Sequence, residues 1–237
     1  MELDIVYLGH SGFFAETESA MLLFDAYRAD LSFVERKQNE KPLFVFVSHA
    51  HSDHFDPKIF TLPAVHSRTE YLLSFDTAEN SAIPKDANVR YLSADARCEI
   101  AGLGEVRTLA STDEGVAFLV KTPEATLFHA GDLHWWDWPG EDADWLAEQG
   151  RVFRGELMKL ADEHIDAAFV VLDDRLGENY AKGLELFLAL CRAKYVFPMH
   201  FWKDRSIVER FIALQKTSAS DAVIVDTAKE KHWKLML

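Results

Sequence analysis

Short apolar runs, separated by glycines and charged turns, make up most of the first half of the chain. Their β-branched and aromatic residues are typical of strands rather than helices. A charged segment over residues 29–40 interrupts the series and predicts a short helix. Strands are predicted at residues 3–8, 12–17, 20–25, 43–48, 89–93, 97–100 and 104–110.

The second half of the chain combines similar strands with longer amphipathic helices. Apolar residues recur at helical spacing over 141–162 and again over 180–191. Ser206 and Glu209 have the spacing of a capping box and predict the start of a third helix. Strands are predicted at 115–122, 125–130, 167–172, 195–199 and 222–225, the first two forming a hairpin.

The order of these elements predicts one folding unit. No Gly/Ser-rich or Pro-rich linker divides the 237 residues, and both halves contain strands together with helices. Such a chain can bury its apolar strand faces by packing two sheets face to face, with the helices outside. We therefore expect a single domain over residues 1–237, built from two similar halves.

Composition narrows the function classes. Apolar residues make up 49% of the chain, and the formal charge is −14. This charge repels phosphate backbones and anionic membranes, so a small-molecule substrate is favoured over nucleic acid. No apolar run is long enough to span a bilayer, and the acidic N-terminus does not resemble a signal peptide. With only Cys98 and Cys191, both expected to be reduced, the sequence predicts a cytoplasmic protein.

Residues 48–56, SHAHSDHFD, directly follow the apolar run at 43–47 and contain the strongest chemical signal. Imidazole nitrogens and carboxylate oxygens are the ligands of zinc and similar divalent metals. His49, His51, Asp53 and His54 provide four such donors within six residues, more than one ion would readily take from so short a loop. Two adjacent metals are the simpler arrangement, and two-metal sites are typical of hydrolases. A histidine-rich surface loop is the alternative.

Two further donors are predicted where later strands end. Asp132 follows the strand at 125–130 and a glycine, and His200 follows the strand at 195–199 and Pro198. We expect both to join the cluster at residues 49–54.

These motifs resemble the metallo-β-lactamase-fold hydrolases, and YLGHSGF and LLFDAY suggest the branch of L-ascorbate-6-phosphate lactonase-like proteins. The resemblance implies an α+β fold, an αββα four-layer sandwich of two mixed β-sheets with helices outside. It implies that His49 and His51 bind one metal, that Asp53, His54 and His200 bind the other, and that Asp132 bridges both. Asp25, at a strand end, matches a carboxylate that orients a ligand histidine, and a residue that only forms the turn after the strand is equally consistent with the sequence.

One departure from the family concerns the first metal. Ser111 and Thr112 stand where a third histidine is expected, in STDEGVAF. Asp113 is a substitute ligand, in which case a harder ion such as Mn²⁺ is favoured over Zn²⁺. Weak binding of the first metal, or a site that works with one ion, are the alternatives.

The predicted reaction is hydrolysis of a small-molecule ester, lactone or phosphoester by a metal-activated water, with Asp53 or Asp132 moving the proton. A phosphodiesterase or nuclease, and a metal-binding protein that has lost catalysis, are the alternatives.

Other side chains are expected to support ligands or substrate: His10, His129, His134 and Arg175, with Trp135, Trp136, Trp138, Phe201 and Trp202 as an aromatic wall. For Arg175 a solvated surface position, and for the aromatic residues simple packing, are equally consistent with the sequence.

Overall fold

Two seven-stranded sheets form the framework of the protein. The structure is a computed structural model and describes residues 1–37, 41–215 and 220–237. In the first sheet the strands are ordered β14-β1-β2-β3-β4-β5-β6, and in the second β13-β12-β11-β10-β9-β8-β7. The strands are β1 (Glu2–Gly9), β2 (Gly12–Glu16), β3 (Met21–Phe24), β4 (Leu43–Val47), β5 (Thr69–Ser74), β6 (Val89–Leu92), β7 (Arg97–Ile100), β8 (Gly104–Ala110), β9 (Val116–Lys121), β10 (Thr126–His129), β11 (His164–Val171), β12 (Arg192–Met199), β13 (Val223–Ile224) and β14 (His232–Met236).

Both faces of the central strands are apolar, because each sheet is covered on two sides. In β4, Phe44 and Phe46 pack into the core between the sheets. Leu43, Val45 and Val47 of the same strand belong to a separate core on the outer face of the first sheet. Since successive side chains of a strand point to opposite faces, this continuous apolar run is what a doubly covered strand requires.

Helices close the two outer faces. The α-helices are α1 (Ser32–Glu35), α2 (Ala143–Met158), α3 (Lys182–Leu190) and α4 (Ser206–Gln215), with 3-10 helices at Pro57–Ala64, Phe75–Thr77 and Asp174–Asn179. Phe153 of α2, Leu184 of α3 and Phe211 of α4 join the larger core. Val34 of α1 and Leu62 of the first 3-10 helix cover the first sheet. The predicted sandwich of two mixed sheets is confirmed, whereas the single-domain boundary stays a prediction.

The structure corrects several predicted elements. β5 and β14 were not predicted, and the prediction that Ser206 and Glu209 form a capping box is wrong. Ser206 is already inside α4, and its backbone N–H donates to Oδ1 of Asp204 (3.0 Å). The short helix predicted within residues 29–40 is confirmed as α1, and residues 38–40 of that segment lie outside the described ranges. No helix in the described ranges has both the length and the apolar composition for crossing a bilayer.

The predicted ligand cluster lies at one edge of the sandwich, where strands that run in the same direction end. β3, β4, β5 and β6 run parallel to one another, and so do β10, β11, β12 and β13. β1 and β8 run in the same direction as their parallel neighbours, because two antiparallel pairings separate them. The carboxyl ends of these strands form the edge at which ligands of such sheets are usually bound.

Candidate metal centre

Every predicted ligand follows the carboxyl end of a strand. The loop after β4 carries His49, His51, Asp53 and His54, Asp132 follows β10, and His200 follows β12. Three other strands contribute at the same edge: His10 after β1, Asp25 after β3 and Asp113 after β8. The structure thus brings together residues that are far apart in the sequence, as the prediction required.

The backbone is strained at three of these strand ends. His10 (φ 50°), Asp25 (φ 39°) and His200 (φ 68°) lie in the left-handed region, which non-glycine residues rarely adopt. The backbone N–H of His200 donates to the carbonyl of His10 (3.0 Å), which ties two of the strained residues together. Such strain costs about 1–3 kcal/mol per residue and is concentrated at functional sites.

Asp25 organises the start of the histidine loop. Its Oδ1 accepts the backbone N–H of Ser48 (2.8 Å), and its Oδ2 accepts the Ser48 hydroxyl (2.6 Å). The same Oδ2 lies 2.8 Å from Nδ1 of His54, while Ser48 Oγ lies 3.0 Å from Nδ1 of His49. Because their Nδ1 atoms are occupied, both imidazoles are left with Nε2 as the available ligand atom. Asp25 therefore has the position expected of an orienting carboxylate.

Asp132 lies at the centre of the cluster. Its Oδ1 is 3.2 Å from Nε2 of His54 and 3.3 Å from Nε2 of His200, and its Oδ2 is 3.7 Å from Nε2 of His49. Burial alone would raise the pKa of Asp132, but the adjacent His200, His54 and His49 hold it well below its usual range. One carboxylate thus faces three imidazoles that come from two different strands.

The ligand atoms fit a divalent metal. Five buried atoms of the cluster make no hydrogen bond within the described residues: Nε2 of His10, His49, His54 and His200, and Oδ1 of Asp132. Leaving buried polar atoms unpaired is costly, so their convergence indicates that another partner belongs there. Four overlapping groups have ligand atoms within 4.8 Å of one another: His10, Asp53, His54 and His200; His49, His51 and Asp53; His49, His54 and Asp132; His51, Asp113 and Asp132. The number and identity of the ions stay predictions.

His10 joins the second predicted metal group more closely than expected. Its ring lies 4.3 Å from the ring of His200, and its Nε2 is 3.3 Å from Oδ2 of Asp53. This contact with His10 lowers the pKa of Asp53 well below its usual range, although burial opposes the shift. Burial lowers the pKa of His10, so its ring favours the neutral form that can bind a metal.

Asp113 occupies the place left by the expected histidine. Its carboxylate groups with His51 and Asp132, and burial together with Asp132 raises its pKa. The side chains of Ser111 and Thr112 instead make hydrogen bonds with backbone groups. Ser111 Oγ accepts the N–H of Asp113 (3.1 Å), and Thr112 Oγ1 donates to the carbonyl of His134 (2.6 Å).

His134 and His129 do not join the ligand groups found among the described residues. The His134 ring packs against Gly183 of α3, and burial lowers its pKa to about 3. His129 Nε2 donates to the Ser11 carbonyl (2.8 Å), and its Nδ1 accepts the N–H of Gly131 (3.1 Å). Both histidines hold the segment around Asp132 in place.

Asp173 was missed by sequence reasoning and supports His200. Its Oδ2 lies 2.9 Å from Nδ1 of His200, so Nε2 of that ring is directed towards Asp132. Burial would raise the pKa of Asp173, but hydrogen bonds from His200 and Arg175 lower it to about 2. The position of Asp173 was a signal in the sequence. It follows the predicted strand at 167–172, just as Asp132 and His200 follow predicted strands.

The aromatic wall is only partly formed. Trp136 and Trp138 stack with their ring centroids 5.7 Å apart and line the cleft above the ligands. Trp135 instead packs against Gly150 of α2, which is the simple packing that the sequence also allowed. The cleft has a volume of about 220 Å³ and is lined by His51, Asp53, Asp113, Asp132, Trp136, Trp138, Arg175 and His200. A cleft of this size suits a small substrate or a small reacting group.

Comparison with known proteins agrees with this geometry. The family described as "Beta-lactamase superfamily domain" matches residues 4–137. A UPF0173 metal-dependent hydrolase from Opitutus terrae is 26% identical over 214 residues, which covers 84% of this chain and 85% of the relative. These findings confirm the predicted class, a metal-dependent hydrolase, and name no substrate.

Two solved structures share the fold. Igni18, a metallo hydrolase from Ignicoccus hospitalis, has a TM-score of 0.72 and 15% identity, with both chains covered completely. CmlA, a diiron β-hydroxylase from Streptomyces venezuelae, has a TM-score of 0.66 and 12% identity, over 99% of this chain and 54% of that one. The fold therefore carries more than one metal chemistry, and function must be argued from the site.

Proposed function

This chain belongs to the beta-lactamase superfamily, and from that premise we propose that it hydrolyses a small-molecule ester, lactone or phosphoester. The observation that carries the proposal is the convergence of two imidazoles on one carboxylate: Nε2 of His54 and of His200 lie 3.2 and 3.3 Å from Oδ1 of Asp132. A divalent ion bound there would polarise a substrate oxygen and lower the pKa of its water ligand towards about 7.

We assign the donors to two metals as the family resemblance implies. His49 and His51 would hold the first ion, Asp53, His54 and His200 the second, and Asp132 would bridge them. His10 adds a nitrogen donor to the second group, and Asp113 adds an oxygen donor to the first. With three imidazoles the second site suits Zn²⁺, whereas the first site, with two imidazoles and two carboxylates, is more tolerant of Mn²⁺.

Asp53 is better placed than Asp132 to move a proton to the leaving group. The Asp53 side chain is 24% exposed and lines the cleft, whereas that of Asp132 is 7% exposed and surrounded by imidazoles. Both carboxylates line the cleft, but a general acid–base group must reach the reacting atoms directly or through one water, and the more exposed Asp53 is less enclosed by other side chains. Within the superfamily, the GHSGF and LLFDAY segments favour the L-ascorbate-6-phosphate lactonase-like branch, hence an intracellular small-molecule substrate.

The proposal is tested by removing metal with a chelator, reloading with Zn²⁺ or Mn²⁺, and screening esters, lactones and phosphodiesters. We expect turnover that requires added metal and that Asp132→Ala abolishes, while circular dichroism shows an intact fold. Metal binding without turnover on any of the three classes would point to a protein that has lost catalysis. Turnover of phosphodiesters alone would point to a phosphodiesterase or nuclease.

A further inference from the structure

Arg175 is the one lysine or arginine among the described residues that line the cleft, and it lies on the wall above the ligand cluster. Nε of its guanidinium is 3.0 Å from both carboxylate oxygens of Asp173, and Nη2 also donates to Oδ2. Within the described residues Nη1 makes no hydrogen bond, and the side chain is 43% exposed. Arg175 therefore keeps donors free on the side that is not held by Asp173.

Two tryptophans fix the orientation of this guanidinium. The Cζ atom of Arg175 lies 5.3 Å from the ring centroid of Trp138 and 4.9 Å from that of Trp202. A guanidinium held by aromatic faces and by a carboxylate loses little further freedom when it binds an anion in its planar fork. Trp202 is itself 44% exposed, so this assembly is open to the solvent.

The charge of the chain favours a local cation for an anionic substrate. With a formal charge of −14, the protein repels anions at long range. Three of the residues that line the cleft are aspartates: Asp53, Asp113 and Asp132. A carboxylate or phosphate group of a substrate that is not itself bound to the metals would thus be stabilised by a cation beside them, and Arg175 has that position.

From this arrangement we propose that Arg175, between Trp138 and Trp202, binds an anionic group of the substrate, so that the substrate is a small carboxylate or phosphate compound. The inference rests on the proposed hydrolase function and adds the class of substrate. The competing explanation is that Arg175 only braces Asp173 and, through it, His200.

The first test measures anion binding without turnover. Metal-loaded protein is titrated with inorganic phosphate, and separately with succinate, at constant ionic strength, while tryptophan emission is recorded. We expect saturable changes that are about tenfold weaker in affinity for Arg175→Met, because a charge-assisted hydrogen bond is lost. Arg175→Lys, which keeps the charge but not the fork, should lie between the two. The tighter of the two anions identifies the preferred group.

Arg210→Met is the matched control. Arg210 also lies over an aromatic ring, Tyr180 (5.2 Å), and pairs with a carboxylate, Asp204 (2.9 Å), but it does not line the cleft. Its replacement should leave both affinities unchanged. Equal affinities for the wild type and Arg175→Met would overturn the proposal, because the anion would then bind the metals alone.

The second test separates substrate binding from bracing. The kcat/KM values of 4-nitrophenyl acetate and of the 4-nitrophenyl monoester of succinate are compared in wild type and Arg175→Met. We expect the preference for the anionic ester to fall about tenfold, mainly through KM. A loss that is equal for both esters would show a bracing role and contradict the proposal. If the wild type cleaves neither ester, the hydrolase proposal is in doubt, and the anion titration still tests whether Arg175 contributes to anion binding.

Discussion

Asp173 Oδ2 lies 2.9 Å from Nδ1 of His200, while the opposite ring nitrogen lies 3.3 Å from Oδ1 of Asp132. A carboxylate on each side of the imidazole fixes its tautomer and its direction. Asp25 does the same for His54, whose Nδ1 is 2.8 Å from Asp25 Oδ2 and whose Nε2 is 3.2 Å from Asp132 Oδ1. Two of the three histidines that face Asp132 are thus held by equivalent carboxylates from different sheets.

We expect Asp173→Asn to weaken metal binding by about 10- to 100-fold, the usual effect of removing a carboxylate that orients a ligand histidine. The affinity is measured by competition with a chromogenic chelator, and circular dichroism checks the fold. Asp95→Asn is the control. Asp95 is exposed, pairs with Lys159 and belongs to none of the ligand groups. Wild-type affinity in Asp173→Asn would show that His200 is not a metal ligand.

Asp113→Ala should reduce the amount of bound metal, since Asp113 supplies one of three donors in the group with His51 and Asp132. Asp113→His should restore binding and shift the preference from Mn²⁺ towards Zn²⁺, because imidazole is the softer ligand. Elemental analysis of dialysed protein gives the stoichiometry, with the exposed Glu79→Ala as the control. Full metal content in Asp113→Ala would exclude this residue from the first site.

Gly183→Ala should destabilise the protein by about 1–3 kcal/mol, the usual cost of overpacking a core. A Cβ at Gly183 would lie 2.2 Å from Cε1 of the buried His134 ring. Gly155 of α2 has open space at the same position, so Gly155→Ala should instead stabilise by about 0.5–1 kcal/mol. Urea denaturation measures both changes, and equal effects of the two substitutions would contradict the packing of His134 against α3.

Glu16 makes a pH-dependent contribution to stability. Burial raises its pKa, but hydrogen bonds from Lys37 and Lys41 outweigh that effect and lower it. A carboxyl whose pKa is lowered by folding stabilises above its unfolded pKa, and this contribution disappears as the pH falls through the folded value. Glu16→Gln should therefore destabilise at pH 7 by about 1 kcal/mol or less, and by a smaller amount at pH 4. A difference in the free energy of unfolding that grows on acidification would be inconsistent with this pairing.

The strands that the sequence predicted best are those with local signals. β7 and β8 were predicted with their observed bounds, since turn residues flank two short alternating runs. β14 was missed because its only partner among the described strands is β1, more than two hundred residues away, and nothing local marks HWKLM as a strand. β5 was missed although five of the six residues of TEYLLS are buried, because its apolar residues form one short block without alternation, which gives an ambiguous signal.

The part of the candidate site in which metal donors cluster in the sequence was predictable. Isolated residues that orient these donors were harder to predict. The spacing of His49, His51, Asp53 and His54 was sufficient to find the loop, and the strand-end rule found Asp132 and His200. Ser48 and Asp173 act through hydrogen bonds to Nδ1 atoms, and such contacts depend on side-chain directions that a sequence does not specify. His134 was expected to support a ligand or the substrate, and its ring packs against α3 rather than lining the cleft.

The central claim is that His54, His200 and Asp132 share a metal ion. Anomalous diffraction from crystals of the zinc-loaded protein, collected on both sides of the zinc edge, tests this directly. We expect an anomalous peak about 2.0–2.1 Å from Nε2 of both His54 and His200, with an Asp132 oxygen at a similar distance. Zinc peaks that lie only at other residues, with these three side chains uncoordinated, would contradict it.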